Sequence, residues 1–284
     1  MRTVAHLSDL HFGRVDHAVL EPLRRCVAGL EPHVVVISGD LTQRAKPEEF
    51  REARRFLDTL PFPQIVVPGN HDVPLYNVFQ RFFAPLAKFR RYISADLAPA
   101  YIDEEIAVVG VNTARSLVFK GGRINEEQIE YLRARLCNLD KSVSKMVVTH
   151  HPFDLPEDWD SSDIVGRARM AMQALARCGV DILLAGHAHT SHAGEAMAGY
   201  KIGGHASLIV QAGTATSTRG RGETNSFNAL RVSAHEATVE RYSWDPAAGD
   251  FRLSKRETFE RAANGWIERS EPVSGESRVH HWRS

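Results

Sequence analysis

"VVVISGDLT", Val34 to Thr42, is the stretch that decides how this chain is read. Four consecutive β-favouring apolar residues read as a buried strand, and Ser38-Gly39 turns the chain at its end. An acid, Asp40, then stands just past the strand. A carboxylate beside a buried strand end must meet a counter-charge or hydrogen-bond donors. What meets it is found elsewhere in the chain.

Working outward, "TVAHLS", "QIVVP", "IAVVGV", "KMVVTH" and "VDILLAG" read as further strands, alternating with helical patterns at 18–29, 47–60, 125–139 and 167–178. The chain is thus a layered α/β protein. Pro47 with Glu48 and Glu49, and Asn125 with Glu126 and Glu127, mark helix starts. From about Ser207 the texture changes to hairpin-linked strands, which predicts a second, mixed or antiparallel sheet. Residues 1–269 read as one domain, and the polar tail 270–284 as a frayed or packing extension. The aromatic run "YNVFQRFFAPLAKFRRY", Tyr76 to Tyr92, has helix-like spacing and predicts packing in the core or at an interface.

With 284 residues, 43% hydrophobic and 25% charged, the composition is neither disordered nor membrane-spanning. Lys plus Arg and Asp plus Glu number 35 each, so no basic field draws the chain to nucleic acid, and no specific nucleic-acid partner is expected. Cys26, Cys137 and Cys178 form neither a disulfide framework nor a zinc motif, and reduced thiols are expected. The N-terminus enters its first strand with no targeting pattern, which predicts a cytoplasmic protein. A homodimer is compatible with the sequence.

Asp40 has company at the other strand ends: Asp9 and His11 ("SDLH"), Asn70, His71 and Asp72 ("GNHD"), His150 and His151 ("HHP"), and His187 and His189 ("GHAH"). In open α/β sheets, binding groups collect beyond the carboxyl ends of the strands. A lone DxH is often an ordinary turn hydrogen bond, and Asn70 alone could be a turn residue. Five such ends in one chain point to chemistry. Carboxylate, imidazole and amide without sulfur suit two close divalent cations (Mn, Fe or Zn), with Asp40 as the natural bridge.

In these blocks, "DLH", "GDLT", "GNHD", "HHP" and "GHAH", the chain resembles the calcineurin-like metallophosphoesterases, and within them bacterial class III cyclic-nucleotide phosphodiesterases and related glycerophosphodiesterases. The resemblance implies a four-layer α/β/β/α sandwich of two mixed sheets. It also implies one metal held by Asp9, His11, Asp40 and His189, and a second by Asp40, Asn70, His150 and His187. His71 is implied near the leaving-group oxygen, with Asp72 orienting it. The implied reaction is in-line attack by a metal-activated hydroxide on a small phosphodiester, 3′,5′-cyclic nucleotides first. A pyrophosphatase acting on a nucleotide-linked lipid such as UDP-diacylglucosamine, a glycerophosphodiesterase, and a nuclease or scaffold are the alternatives. Substrate contacts are expected from Asn112 in "VNTAR" and from Arg219 and Arg221 in "TSTRGRGETNSFN". His151 is expected to pack beneath the site. The absence of a basic amphipathic helix and the near-zero net charge argue for soluble substrates over a bilayer surface.

Overall fold

The computed structural model describes residues 1–116, 121–156, 161–195, 206–218, 223–262 and 265–269. In chain order the strands are β1 (Arg2–Leu7), β2 (Val34–Ile37), β3 (Gln64–Val66), β4 (Ala100–Ile102), β5 (Ile106–Gly110), β6 (Ser144–Val148), β7 (Ile182–Ala185), β8 (His192–Glu195), β9 (Leu208–Gln211), β10 (Ser226–Val232), β11 (Glu236–Asp245), β12 (Asp250–Ala262) and β13 (Gly265–Glu268). The helices are α1 (His17–Gly29), α2 (Pro47–Asp58), α3 (Val78–Phe83), α4 (Ala87–Tyr92), α5 (Glu126–Leu136) and α6 (Ala168–Arg177). Asn125 caps α5, its side chain accepting from Gln128 N. Glu49, in the first turn of α2, accepts from the Arg44 and Lys46 amides.

One sheet runs β13-β12-β11-β10-β1-β2-β3 and the other β4-β5-β6-β7-β9-β8. Strands β1 to β3 are parallel, as are β5, β6, β7 and β9. Alternate side chains face different layers. Val34 and Val36 join Ile106, Val108, Met146, Val148, Ile182, Leu184, Leu208 and Val210 in a core between the sheets. Val35 and Ile37 pack outward with Leu23, Val27, Phe50 and Leu57 of α1 and α2. On the far side, Val109, Val147, Leu183 and Ile209 pack with Leu132 and Leu136 of α5 and Leu175 of α6. Burial on both faces is why these strands read as unbroken apolar runs. The result is the α/β/β/α layering.

Two expectations are corrected, and a third gains detail. The hairpin-linked strands β10 to β13 build no sheet of their own: β10 pairs antiparallel with β1, extending the first sheet, while β9 joins the second. Sheet membership is a non-local pairing that local texture does not carry. Cys137 and Cys178, 41 residues apart, form a disulfide with Cα atoms 4.2 Å apart, and Cys26 is the free thiol. They cap the C-termini of α5 and α6, which lead into the parallel neighbours β6 and β7 and so end side by side. Finally, the Tyr76–Tyr92 segment splits at Ala84-Pro85 into α3 and α4. Phe89 is fully buried, but Phe79, Phe82 and Phe83 are exposed. The 270–284 tail lies outside the described residues, and no helix among them is long and apolar enough to cross a membrane.

Candidate metal centre

The parallel pairing continues past the strands into the loops that carry the site. Asp9 N donates to Gly39 O, His11 N to Asp40 O and Phe12 N to Leu41 O, at 3.1, 2.9 and 2.8 Å. In the other sheet, Gly186 N donates to His150 O at 3.1 Å. Held this way, Asp9, His11, Asp40, His187 and His189 all take positive φ, between 49° and 72°. This is the left-handed region that non-glycine residues seldom occupy, and such strain clusters at functional sites. The close packing also demands glycine. At Gly39 (φ +96°) a Cβ would lie 2.5 Å from His150 Nδ1, and at Gly69 it would run into the Asp40 carboxylate.

Asp9, His11, Asp40 and His150 are completely buried, and His187 and His189 nearly so. Asp9 Oδ2 accepts from Ser8 Oγ at 2.6 Å and from His187 N at 3.0 Å. Its Oδ1 accepts no hydrogen bond and lies 3.5 Å from both His11 Nε2 and His189 Nε2. Asp40 divides its oxygens. Oδ1, which accepts from His71 N at 2.8 Å, is 3.4 Å from His150 Nε2. Oδ2, with no hydrogen bond, is 3.8 Å from His11 Nε2. Around the first side, Asn70 Oδ1 is 3.0 Å from His150 Nε2 and 3.1 Å from His187 Nδ1. Two buried carboxylate oxygens without donors, ringed by imidazole nitrogens, form a donor set that fits divalent cations.

Two of the imidazoles are aimed by a contact at the far nitrogen. His150 Nδ1 is 2.8 Å from Ser38 O, and His187 Nε2 is 3.2 Å from Asp163 Oδ1. Such outer contacts fix which nitrogen faces a metal. Asp163 was not legible beforehand: it sits in the one-turn helix Ser161–Asp163, in no motif and far from any strand. His151 is buried beside the site, its Nδ1 2.9 Å from Thr113 Oγ1 and its ring 4.6 Å from that of His187, and it stands close enough to His150 and His187 to join them around an ion.

His71 stands edge-on to His11, ring centres 4.9 Å apart, and its Nδ1 is 3.0 Å from Gln43 O. The orienting role expected of Asp72 thus belongs to the Gln43 carbonyl. Asp72 instead accepts from the amides of Leu41, Thr42 and Gly69 and from Thr42 Oγ1, locking the Asp40 loop to the Asn70 turn. Asn112 Oδ1 accepts from Ala114 N and its carbonyl from Arg115 and Gln128, and it lines a cavity of about 440 Å³ with Arg90, Arg115, Gln128 and Tyr131, away from the cluster's own hydrogen bonds. Arg219 and Arg221 lie outside the described residues.

Burial would raise the Asp40 pKa, but the His150, His71 and His11 imidazoles beside it hold the carboxyl well below the usual range. Asp9 follows the same pattern: burial raises it, and His189, His11 and His150 bring it below its ordinary value. For His150, burial opposes charge, yet Asp40 and Asp9 push it up to about 9. Asp72 is raised to about 6 by burial and by the Asp40 charge.

Relatives and solved structures with similar features are known. The chain is 27% identical over 175 residues to the glycerophosphodiester phosphodiesterase GpdQ of Enterobacter lignolyticus, spanning 54% of this chain and 58% of that protein's length. It is 24% identical over 203 residues to the 3′,5′-cyclic adenosine monophosphate phosphodiesterase CpdA of Escherichia coli K12, covering 66% and 69% of the two chains. A shorter match, 34% over 76 residues, covers 26% of this chain and 23% of the UDP-2,3-diacylglucosamine pyrophosphatase LpxG of Chlamydia muridarum. In fold it is similar to a dimetal phosphatase from Danio rerio, with TM-score 0.63, 15% identity and coverage of 90% and 98%. It is also similar to the purple acid phosphatase PPD1 of yellow lupin, with TM-score 0.69, 12% identity and coverage of 90% and 53%. The family model for calcineurin-like phosphoesterases matches residues 2–191, from β1 through the GHAH turn, and the chain belongs to that family.

Proposed function

We propose that the chain is a dinuclear metal-dependent phosphodiesterase acting on small phosphodiesters, 3′,5′-cyclic nucleotides first. The observation that carries the reading is the divided Asp40 carboxylate, one oxygen toward His150 and the other toward His11. One ion would be held by Asp9, His11, Asp40 and His189, the other by Asp40, Asn70, His150 and His187. When bound, such a pair of cations acidifies a water molecule to serve as nucleophile and neutralises charge on the phosphoryl oxygens. The remaining work falls to the chain. Its carboxylates and imidazoles are buried, and fixed charges act strongly where water is excluded. His71 would meet the leaving oxygen through Nε2, its Nδ1 being engaged by Gln43 O. The preference for cyclic nucleotides is supported by the relatives so named, CpdA of Escherichia coli and the probable cyclic nucleotide phosphodiesterases of Ruthia magnifica and Synechococcus, which stand beside the more identical GpdQ.

The test is a panel with Mn-, Fe- or Zn-reconstituted protein: 3′,5′-cyclic nucleotides, a glycerophosphodiester, UDP-diacylglucosamine and an aryl phosphodiester. The highest kcat/KM among natural substrates is expected for a cyclic nucleotide. A preference of about a thousandfold for the lipid-linked pyrophosphate would reverse the reading. In His71→Ala, the rate should fall by about 10²–10⁴-fold with a poor leaving group and far less with an activated aryl one. Equal losses would remove His71 from that role.

A further inference from the structure

Of the nine large hydrophobic side chains exposed among the described residues, five fall within eight positions: Tyr76, Val78, Phe79, Phe82 and Phe83. They sit on and just before α3, a few residues beyond the Asn70–Asp72 turn of the metal centre. The Phe79 and Phe83 rings lie against each other at a tilt of 35°, centres 4.7 Å apart, yet both residues stay about three-quarters exposed, at 73% and 75%. Clustering of this kind marks a surface built to be covered.

The charges around it identify the cover. Between Val73 and Ser94 there is no acid. Lys88, Arg90 and Arg91 follow in the chain on α4, Arg90 at the edge of the neighbouring cavity with Asn112, and Arg44 and Lys46 lie in the loop before α2: Arg44 is 5.4 Å over the Tyr76 ring, and Lys88 Nζ donates to Ala45 O at 2.9 Å. Many cations elsewhere in the fold pair with carboxylates, as Arg24, Arg54, Arg133 and Arg256 do. None of these five does among the described residues. We propose that this aromatic and cationic rim docks the enzyme on an anionic bilayer surface. Phenylalanines backed by Lys and Arg are the side chains that enter the boundary between headgroups and acyl chains, and each nearby cation adds attraction to anionic lipid. A second copy of the chain is disfavoured, because a two-fold contact would set the five cations against their own images. An acidic protein would satisfy the charges but would also need a pocket for each exposed ring. The rim adjoins the metal centre, since the residue before Arg44, Gln43, holds His71. Docking would therefore bring the mouth of the site to headgroup level, whereas sequence alone argued against any bilayer surface.

The test uses the full-length, metal-loaded protein and sedimentation with two kinds of vesicle, pure phosphatidylcholine and phosphatidylcholine with about one-third phosphatidylglycerol. Binding is expected only to the second and should weaken as salt is raised. Phe79→Ser with Phe83→Ser, and separately Arg90→Glu with Arg91→Glu, should each lower the bound fraction by about tenfold or more. Hydrolysis of a soluble aryl phosphodiester should be unchanged in the phenylalanine variant, which separates a docking defect from a damaged site. Equal binding to both vesicles, or to neither, would overturn the proposal. A dimer that dissociates in the Phe79/Phe83 variant without vesicle binding would assign the rim to a second copy. Binding to polyglutamate that survives loss of the phenylalanines would assign it to an acidic protein.

Discussion

Along the ladder of β11 and β12, most charges have their answer close by, Arg241, whose buried Nε meets no partner among the described residues, being the exception. Glu240 Oε1 accepts from Arg256 Nε and Nη2 at 3.0 and 2.7 Å, and Arg231 Nε reaches Oε2 at 3.3 Å. Thr238 pairs with Thr258 and Ser243 with Ser254 across the strands. Positive φ in this region is confined to glycines, Gly249 at the turn and Gly265 at the start of β13. At the strand ends around Asp40 these rules are inverted. Acids lie fully buried with open oxygens, imidazoles crowd together, and five non-glycine residues hold left-handed backbone. Local consistency produces a stable fold, and its violation marks where function is sited. The contrast can be tested by substitution, starting where the two regions should differ most.

Asp40→Ala removes the carboxylate common to both proposed ions. Elemental analysis should show loss of both metals, and phosphodiester turnover should fall by at least about 10³-fold, more than 4 kcal/mol of transition-state stabilisation. Glu240→Ala, which removes an equally buried acid from the ladder, should lower stability and leave turnover per folded molecule unchanged. Retention of two metals by the Asp40 variant would erase the distinction.

The next effect is electrostatic and depends on pH. His150 carries a pKa of about 9 without metal, above its ordinary value of 6.5, because Asp40 and Asp9 outweigh burial. A raised histidine pKa stabilises the metal-free fold fully below about 6.5 and loses that contribution as pH climbs through about 9, roughly 3 kcal/mol in all. Metal binding must expel this proton, so affinity should rise by up to about tenfold per pH unit between 7 and 9 and then level off. Titrations of chelator-stripped protein at several pH values would show it. A flat profile would mean that His150 is already neutral.

Asp163→Asn should weaken metal binding by about tenfold, since it removes the carboxylate facing His187 Nε2 while sparing every candidate ligand. Unchanged affinity would reduce Asp163 to a packing residue.

The layered α/β class and the five polar strand-end turns were legible because each rests on a local signal, an apolar run and then an acid, amide or imidazole, while the four layers and the ligand sets were implied by the family resemblance those turns carry. What escaped depends on contacts between segments far apart in the chain. Nothing local tells that β10 will pair with β1, or that Cys137 and Cys178 will meet at neighbouring helix ends. Asp163 belongs to a loop defined only by the imidazole it reaches, and Gln43 acts through its carbonyl, which every residue type possesses. The spacing of the aromatics left open which rings enter the core and which face outward. Pro85 divides the segment, and a six-residue helix cannot turn all its rings toward one core.

The smallest effect isolates the backbone strain itself. Asp40 sits at φ 51°, whereas Thr258 lies within the regular β12 ladder. In the strand, Thr258→Gly should be less stable than Thr258→Ala by about 0.5–1 kcal/mol, because glycine loses more freedom on folding. At position 40 that same entropic term acts against glycine, but alanine must also bear about 1–2 kcal/mol for left-handed backbone. The Ala-to-Gly difference at position 40 should therefore be shifted toward glycine, relative to that at 258, by about 1–2 kcal/mol, enough to cancel or reverse its sign. Both position-40 variants lack the carboxylate, so lost metal binding and lost charge contribute equally to each and drop out. Denaturant unfolding of the four chelator-treated variants measures the quantity directly. If Ala and Gly differ by the same amount at both positions, the turn around Asp40 relaxes once its carboxylate is gone, and the strain resides in the side-chain cluster, not in the chain path.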